Sequence, residues 1–374
     1  MRMKLITLAV ITAVSGVLAP PAHALSLPQS FINYASSPVL AKPGIILIDP
    51  ATSETIYSNK PDLGRAPASV MKLLSATLAS SALNLDSSFH TSIAAESEPD
   101  RYLLTGEFDP WLSLSSYESK KYGAAFSPSL IYSAIKASPG AKRIVIDYYG
   151  LYEKDLEQLK KYFRGKVYLS INKLPTAASV EEKVVTPLAA VISPKIADIL
   201  KFTLLWSDNT KADRIAKLAA KALGYPAGPV GVQMALEKVL GELGVSTAGL
   251  DVYDGSGLSK ANRVSVRTIA ELLVKIKDNP TYAAIYQGLP LAGKSGTLRT
   301  RFTEDAPKAV GLVKAKTGWI NGTVSLAGYV TVGIEEYVFA VIADRITPTE
   351  PKRQAARVAI DKMLATIAKP KPSV

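Results

Sequence analysis

The sequence places strand-like segments near both ends of the chain and helical patterns between them. Two short apolar runs, 44–49 and 54–58, are joined by a Pro-Ala-Thr-Ser turn and predict a β-hairpin. Three more runs of this kind lie at 309–316, 322–332 and 336–342, followed by an amphipathic helix over 350–368. We therefore predict one antiparallel sheet completed by both ends of the chain, flanked by helices and packed beside an all-helical region.

Residues 88–192 have a different character. Short strand-like runs at 101–104, 143–147 and 166–171, a charged helix at 153–163 and many turn residues predict a separate small unit. We expect an inserted domain over 88–192, with the main domain formed by 25–87 and 193–368. The Lys-Pro repeat at 369–374 predicts a disordered tail.

The first 24 residues have the pattern of a secretory signal peptide. A basic start is followed by an apolar run at 5–19 and by the small-residue cleavage pattern Ala22-His23-Ala24. An uncleaved anchor is the alternative, but the run is short for a full membrane span. We expect cleavage after Ala24 and export to the extracytoplasmic space, in the cell wall or periplasm.

Charge and cysteine content narrow the function classes. The formal net charge is +12, and removal of Arg2 and Lys4 with the signal leaves +10. For an exported protein this favours anionic wall polymers or membrane headgroups as partners over nucleic acid, although solvated lysines that keep the protein soluble explain it equally well. The chain has no cysteine, which excludes a lipoprotein anchor, disulfides, thiol catalysis and thiolate metal sites.

Three short motifs carry the chemistry: Ser69-Val70-Met71-Lys72, Ser207-Asp208-Asn209 and Lys316-Thr317-Gly318. In this order they are typical of penicillin-binding proteins and class A β-lactamases. His23 and His90 are the only histidines, so a Ser-His-Asp triad or a histidine-rich zinc site is not easily built. A serine hydrolase here would use lysine as its base, and we expect no metal or cofactor.

Each motif taken alone is weak, because imitations occur elsewhere in the chain. Ser133 and Ser170 also stand three residues before a lysine, Asn172 follows Ser170 by two residues, and the 294–296 stretch imitates the third motif. Context distinguishes them. Only Ser69 opens a long apolar helix, only Ser207 lies between two helices, and only Lys316 ends a strand that two further strands follow.

Other stretches make the resemblance more specific: Asp254-Gly255-Ser256-Gly257-Leu258-Ser259, 262–265, 288–298, Arg301, 314–318 and 326–330. Over roughly residues 43–112 and 192–345 the chain resembles the D-alanyl-D-alanine carboxypeptidase/endopeptidase family of low-molecular-mass penicillin-binding proteins. The resemblance implies the serine β-lactamase/penicillin-binding-protein transpeptidase-like fold. It also implies one reduced insert between the first and second motifs.

The chemistry of the motif positions predicts a mechanism. Ser69 would attack the carbonyl between the last two D-alanines of a peptidoglycan stem peptide and form an acyl-enzyme. Lys72 can accept the serine proton only when neutral, and burial together with the Lys316 cation would lower its pKa. Ser207 is expected to pass a proton to the leaving nitrogen.

Substrate-binding roles follow from the resemblance. Asn209 would hold the substrate amide, and the segment Lys316-Thr317-Gly318-Trp319 would bind the terminal carboxylate through Lys316 and Thr317. The resemblance also implies an oxyanion site made by the backbone N–H groups of Ser69 and Trp319. Trp319 departs from the threonine that is common in the family, so a hydroxyl is lost while the backbone donor remains. The alternative is that Trp319 packs at the strand end.

Three functions compete. The first is a D,D-carboxypeptidase, with endopeptidase action on cross-links as an extension, that binds β-lactam antibiotics covalently. The second is a β-lactamase, which the absence of an E-x-x-x-N motif between the first two sites disfavours. The third is a catalytically weak wall-binding homologue.

Overall fold

The computed structural model describes residues 25–372, so the predicted signal peptide at 1–24 lies outside the described residues. The strands are β1 (Gly44–Ile48), β2 (Thr55–Asn59), β3 (His90–Glu96), β4 (Arg101–Gly106), β5 (Leu112–Ser113), β6 (Ala125–Phe126), β7 (Arg143–Tyr149), β8 (Tyr168–Lys173), β9 (Val185–Ile192), β10 (Val313–Ile320), β11 (Thr323–Val332) and β12 (Glu335–Ala343). The helices are α1 (Gln29–Ala35), α2 (Met71–Ala82), α3 (Ser116–Tyr122), α4 (Pro128–Ala137), α5 (Glu153–Tyr162), α6 (Ala178–Glu181), α7 (Ile196–Trp206), α8 (Asn209–Ala222), α9 (Pro229–Glu242), α10 (Val266–Ile276), α11 (Ala283–Gly288) and α12 (Glu350–Ala365).

The first sheet is completed by both ends of the chain, as predicted. Its strand order is β10-β11-β12-β1-β2, and every neighbouring pair is antiparallel. All five residues of β1 are buried, because helices cover both faces of the sheet. Ile46 packs into a core with α2, α8 and α10, whereas Ile45 and Leu47 pack on the opposite face with α1 and α12. This alternation is what the period of two in a β-strand requires.

Strand β10 differs from its prediction over 309–316. It begins at Val313 and continues to Ile320, so Lys316 lies in the middle of the strand and not at its end. The reason is the turn at Asn321-Gly322, where Gly322 has φ +85° and Ile320 pairs with Thr323. Asn-Gly favours tight hairpin turns of this kind, and the hairpin therefore extends four residues beyond Lys316.

Residues 90–192 contain a second sheet with its own core. The strand order is β8-β7-β4-β3-β9, in which β4, β7 and β8 run parallel while β3 is antiparallel to both β4 and β9. Its apolar cluster includes Ile93, Leu104, Ile146 and Phe163. Strands β3 and β9 were not predicted, because β3 is mostly polar and Pro187 interrupts the apolar run of β9. The assignment of 88–192 as an inserted domain stays a prediction.

The chain after α12 turns back onto the first sheet. Lys369 donates its backbone N–H to the Thr331 carbonyl at 3.0 Å and accepts from the Gly333 N–H at 3.0 Å. The first residue of the predicted tail at 369–374 is therefore held against the end of β11, because β10 begins opposite Val330 and leaves that end unpaired on one side. Among residues 25–372, no helix combines the length and apolar character that a membrane crossing requires.

Candidate active site

Ser69 lies in a 3₁₀ turn, Ala68–Val70, directly before α2, and not in the first turn of the α-helix itself. Ala68 has φ +50°, a left-handed conformation that is uncommon for a residue with a side chain. The loop that contains Gly257 packs against this turn. A Cβ on Gly257 would lie 1.8 Å from the Ala68 carbonyl oxygen, so only glycine allows the contact. The close fit holds the turn, and the Ser69 hydroxyl faces Lys72.

The Lys72 ammonium joins the first motif to the second. Its Nζ donates to Ser69 Oγ at 2.9 Å, to Asn209 Oδ1 at 2.7 Å and to the Ser256 carbonyl at 2.7 Å. The side chain is 1% exposed. These three acceptors match the three N–H groups of an ammonium, and loss of one proton would leave a lone pair able to accept from Ser69.

Burial lowers the pKa of Lys72 to about 7, while the carboxylates of Asp254 and Asp208 act in the opposite direction. A substantial neutral fraction is therefore present at neutral pH, as a general base needs. The repulsion between the two lysines was expected to lower the pKa of Lys72, but its effect falls on Lys316. Burial and the Lys72 cation hold the pKa of Lys316 well below its usual range.

Lys316 joins the third motif to the second. It projects from β10, is fully buried, and its Nζ donates to Ser207 Oγ and to the Thr317 carbonyl, each at 2.9 Å. Ser207 ends α7 with φ +62°, which turns its hydroxyl towards Lys316. The next helix starts at once, because the Asp208 carboxylate caps α8 by accepting from the Lys211 backbone N–H at 2.9 Å. Asn209 therefore opens α8 and does not lie in a loop.

Strand β10 is the edge of the first sheet and faces the site with its backbone. The Ala315 N–H points outward and donates to the Pro290 carbonyl at 2.9 Å. Because N–H directions alternate along a strand, the Thr317 and Trp319 N–H groups point to the same outer side. A Cβ on Gly318 would lie 2.0 Å from Ser325 Oγ and 2.8 Å from the Pro67 carbonyl, so glycine lets β10 approach the Ser69 turn.

The Trp319 side chain packs away from Lys316. It joins the core on the α12 face of the sheet, and the Arg353 guanidinium lies 5.0 Å from its ring centroid. The Thr317 hydroxyl lies 2.9 Å from that of Thr297. The geometry agrees with the packing alternative for the Trp319 side chain and leaves its backbone N–H at the strand edge.

Three contributors to the site had no assigned role in the sequence analysis. The Ser256 carbonyl contacts Lys72, and the Asp254 carboxylate holds that loop by accepting from the backbone N–H groups of Ser256, Gly257 and Ser259. Thr297 meets Thr317. These residues lie in the 254–259 and 288–298 stretches that contribute to the family resemblance. A contact made by a backbone carbonyl cannot be predicted from residue type, because every residue has one.

The imitations of the motifs do not form a comparable site. Ser133 Oγ donates to the Ser129 carbonyl at 3.1 Å within α4. Ser170 Oγ accepts from Arg143 at 3.1 Å on the second sheet. Among the described residues, Ser69 is the one of the three serines that is hydrogen-bonded to the lysine three positions further on.

An open cleft of about 570 Å³ lies beside Asn209 and Ser256. Tyr152 and Lys154, from the 88–192 region, line its other side. Arg214 on α8 binds the Asp155 carboxylate with two hydrogen bonds, at 2.9 Å and 2.7 Å, and so fixes α5 beside the cleft.

A nucleophile, a base of lowered pKa, a hydroxyl able to relay protons and an edge of backbone donors together support acyl transfer.

Comparison with known proteins gives one family and several relatives. The model of the D-Ala-D-Ala carboxypeptidase 3 (S13) family matches residues 30–116 and 169–367. The carboxypeptidase DacB of Mycolicibacterium smegmatis is 35% identical over 187 residues, which are 49% of this chain and 39% of the relative. A D-alanyl-D-alanine carboxypeptidase of an Actinomadura species is 37% identical over 164 residues, 41% of this chain and 29% of the relative. The matches thus span less than half the length of each of these two relatives.

Solved structures share the fold. Penicillin binding protein 4 (dacB) of Haemophilus influenzae aligns with a TM-score of 0.69 at 17% identity, covering 86% of this chain and 95% of that chain. The penicillin G acylated predatory endopeptidase of Bdellovibrio bacteriovorus aligns with a TM-score of 0.60 at 16% identity, covering 88% and 94%. The chain has the penicillin-binding-protein fold that the motifs predicted.

Proposed function

The chain belongs to the D-Ala-D-Ala carboxypeptidase 3 (S13) family, and from this premise we propose that it is an exported serine D,D-peptidase. Its substrates would be peptidoglycan stem peptides, from which it removes the terminal D-alanine, with cleavage of cross-links as a second action. The observation that carries the proposal is the buried Lys72 ammonium hydrogen-bonded to both Ser69 and Asn209.

The acylation step uses the three motifs in sequence. Ser69 Oγ attacks the peptide carbonyl while neutral Lys72 accepts the hydroxyl proton. The C–N bond to the last D-alanine then breaks, and Ser207, hydrogen-bonded to Lys316, passes a proton to the departing nitrogen. Water attacks the resulting ester in a second step, giving the shortened peptide and free Ser69.

Substrate placement follows from the strand edge. The substrate would align along β10, with its carbonyl oxygen between the backbone N–H groups of Ser69 and Trp319. Asn209 would hold the acyl-side amide, and Thr317 with the positive field of Lys316 would bind the terminal carboxylate. Gly318 keeps β10 close to the Ser69 turn, because a side chain there would collide with Ser325 and Pro67.

The remaining features support an extracytoplasmic role. The 1–24 segment has the signal-peptide pattern, and the net charge is positive. The 88–192 region lines the cleft with Tyr152 and Lys154, which supports a role in substrate access and not in the chemistry. The structural relative from Bdellovibrio bacteriovorus is penicillin G acylated, and we propose that this chain binds β-lactams covalently as well.

Intact-mass spectrometry with benzylpenicillin tests the assignment. We expect the mature protein to gain one penicilloyl group, because Ser69 Oγ lies 2.9 Å from its proposed base. Ser69→Ala should gain none, whereas Ser133→Ala and Ser170→Ala should label like the parent. A folded Ser69→Ala protein that labels as well as the parent would falsify the site.

The rate of penicilloyl release separates a peptidase from a β-lactamase. The chain has no E-x-x-x-N motif between the first two sites to supply a deacylation glutamate. We therefore expect the penicilloyl adduct to last minutes or longer while peptides ending in D-Ala-D-Ala are turned over. Each tenfold change in rate corresponds to about 1.4 kcal/mol of barrier. Rapid multiple-turnover hydrolysis of nitrocefin with no release of D-alanine would show a β-lactamase instead. Normal folding with neither reaction would show a wall-binding homologue.

A further inference from the structure

An open groove of about 900 Å³ lies at the far end of the second sheet, outside the candidate active site. It is formed where β7 and β8 begin and where α5 ends. Its charged lining consists of five basic side chains and one acidic one: Lys142, Lys160, Lys161, Arg164, Lys166 and Glu157. The groove therefore has a strong excess of positive charge, although it is open to solvent.

The one acidic side chain of the groove, Glu157, offsets only part of its positive charge. Within residues 25–372, none of the five basic side chains forms a salt bridge, whereas other cations of the same region do. Arg101 and Lys183 both pair with Asp147, and Lys173 pairs with Glu153. A concave surface with uncompensated cations attracts anions, because their fields add at its centre.

Helix stabilisation accounts for only part of the cluster. Lys160 and Lys161 lie in the last turn of α5, where cations interact favourably with the helix dipole. Lys142 and Lys166 precede two different strands and gain nothing from that dipole. Cations from α5 and from the segments that precede β7 and β8 thus face one groove.

Exposed aromatic rings accompany these cations. Lys166 Nζ lies 2.9 Å from the Tyr132 hydroxyl and 5.1 Å from the centroid of the Tyr162 ring. Tyr168 is 65% exposed, and the Arg143 guanidinium lies 5.6 Å from its ring centroid. Tyrosine rings at a wet surface offer an apolar face for the C–H faces of sugars and a hydroxyl for hydrogen bonds.

We propose that this groove binds an anionic glycan, a sugar polymer that carries carboxylate or phosphate groups. Cations and exposed rings together match a ligand in which charges alternate with sugar faces. The concave shape favours a chain, because a flat bilayer could not enter the groove. Binding here is independent of the proposed peptidase reaction.

The position of the groove fits a tethering role. The first turn of α5 holds Asp155, which binds Arg214 in the cleft beside Asn209 and Ser256, and the groove lies at the last turn. A ten-residue helix is about 15 Å long. A bound glycan would therefore leave the cleft open and keep the enzyme close to wall material.

Binding of labelled polygalacturonate and phosphomannan to the mature protein tests the proposal, with uncharged dextran as the neutral glycan. We expect the parent to bind at least one of the charged glycans and not dextran. The triple variant Lys160→Gln, Lys161→Gln, Arg164→Gln should bind at least about tenfold more weakly, because each surface cation contributes modestly. Raising the salt concentration should weaken binding of the charged glycan to the parent protein.

A matched control separates the groove from net charge. Lys60→Gln, Lys308→Gln, Lys352→Gln removes the same charge from exposed sites elsewhere, and it should weaken binding less than about threefold. Equal losses in the two triples, or no binding by the parent, would overturn the proposal. Tighter groove-dependent binding to phosphatidylglycerol vesicles than to either glycan would overturn it in favour of a membrane surface.

Two further measurements exclude trivial explanations. All three groove residues are exposed, so the thermal midpoint of the groove triple should match that of the parent. Ser69→Ala should bind the charged glycan as tightly as the parent. That result would hold even if the proposed peptidase function failed, and loss of binding in Ser69→Ala would contradict an independent site.

Discussion

At the scale of single residues, the protonation of Lys72 controls the proposed chemistry. Burial lowers its pKa to about 7, so the neutral form that can accept the Ser69 proton increases as the pH rises through 7. We expect the second-order rate of penicillin acylation to rise about tenfold from pH 6 to pH 8 and then to level off. Stopped-flow acylation over this range measures it. A rate that falls through pH 7 would contradict Lys72 as the base.

Lys72→Ala should reduce acylation by about 10²–10⁴-fold or more, with little change in substrate affinity, because it removes the base. Lys316→Ala should weaken substrates that carry a terminal carboxylate more than matched amides. Steady-state kinetics on a D-Ala-D-Ala peptide and its C-terminal amide distinguish the two profiles. Identical profiles would show that the two lysines do not have separate roles.

At the scale of elements, the approach of β10 to the Ser69 turn depends on Gly318. An added Cβ would lie 2.0 Å from Ser325 Oγ, so Gly318→Ala must push the strand away from the turn. We expect acylation to fall at least about tenfold, because sub-ångström to ångström displacements of donors are costly in catalysis. Gly241→Ala is the control.

Gly241 lies in α9, and an added Cβ there meets nothing within 4 Å. Gly241→Ala should keep full acylation and raise the free energy of unfolding by about 0.5–1 kcal/mol, since alanine favours helices over glycine. Acylation rates and denaturant unfolding of the two variants test the pair. Full acylation in Gly318→Ala would mean that β10 does not need this contact.

At the scale of the whole molecule, the contact between the second sheet region and α8 contains a buried carboxyl group. Asp109 accepts from the Trp111 N–H at 2.7 Å, and its second oxygen has no hydrogen-bond partner among the described residues. Burial raises the pKa of Asp109 to about 7, with Asp155 adding to the rise and Arg214 and Lys211 opposing it. The folded protein therefore keeps this proton to a higher pH than the unfolded chain.

The sign of the linkage gives a test of that contact. Between about pH 4 and pH 7 the unfolded state binds fewer protons at Asp109, so this group makes stability fall as the pH rises, until about pH 7. Asp109→Asn should remove this fall in stability with rising pH. The variant should be more stable than the parent by about 1–3 kcal/mol at pH 8, and by less at pH 5. Urea unfolding at both pH values measures it, with the exposed Glu304→Gln as the control. An equal difference at both pH values would contradict the buried acid.

Much of the architecture was predictable because it rests on local pattern. Short apolar runs predicted the hairpin β1–β2 and the strands β10 to β12, and helical spacing predicted α2 and α7 to α9. The second sheet was only partly predictable. Strands β3 and β9 complete it by pairing with distant partners. β3 is mostly polar, and β9 contains Pro187, which is expected only at an edge of a sheet. The extent of β10 exceeds its prediction because the Asn321-Gly322 turn prolongs the hairpin to Ile320.

Residue types and spacing by themselves determined the kind of chemistry, since a serine, a lysine three positions on and two further motifs restrict the possible mechanisms. Only the tertiary structure decided the contacts that make such chemistry possible. The Ser256 carbonyl beside Lys72, the outward N–H of Trp319 and the pairing of Lys316 with Ser207 depend on backbone direction and on segments more than 100 residues apart. Burial decided the pKa of Lys72, because desolvation arises from neighbours that only the folded chain brings together.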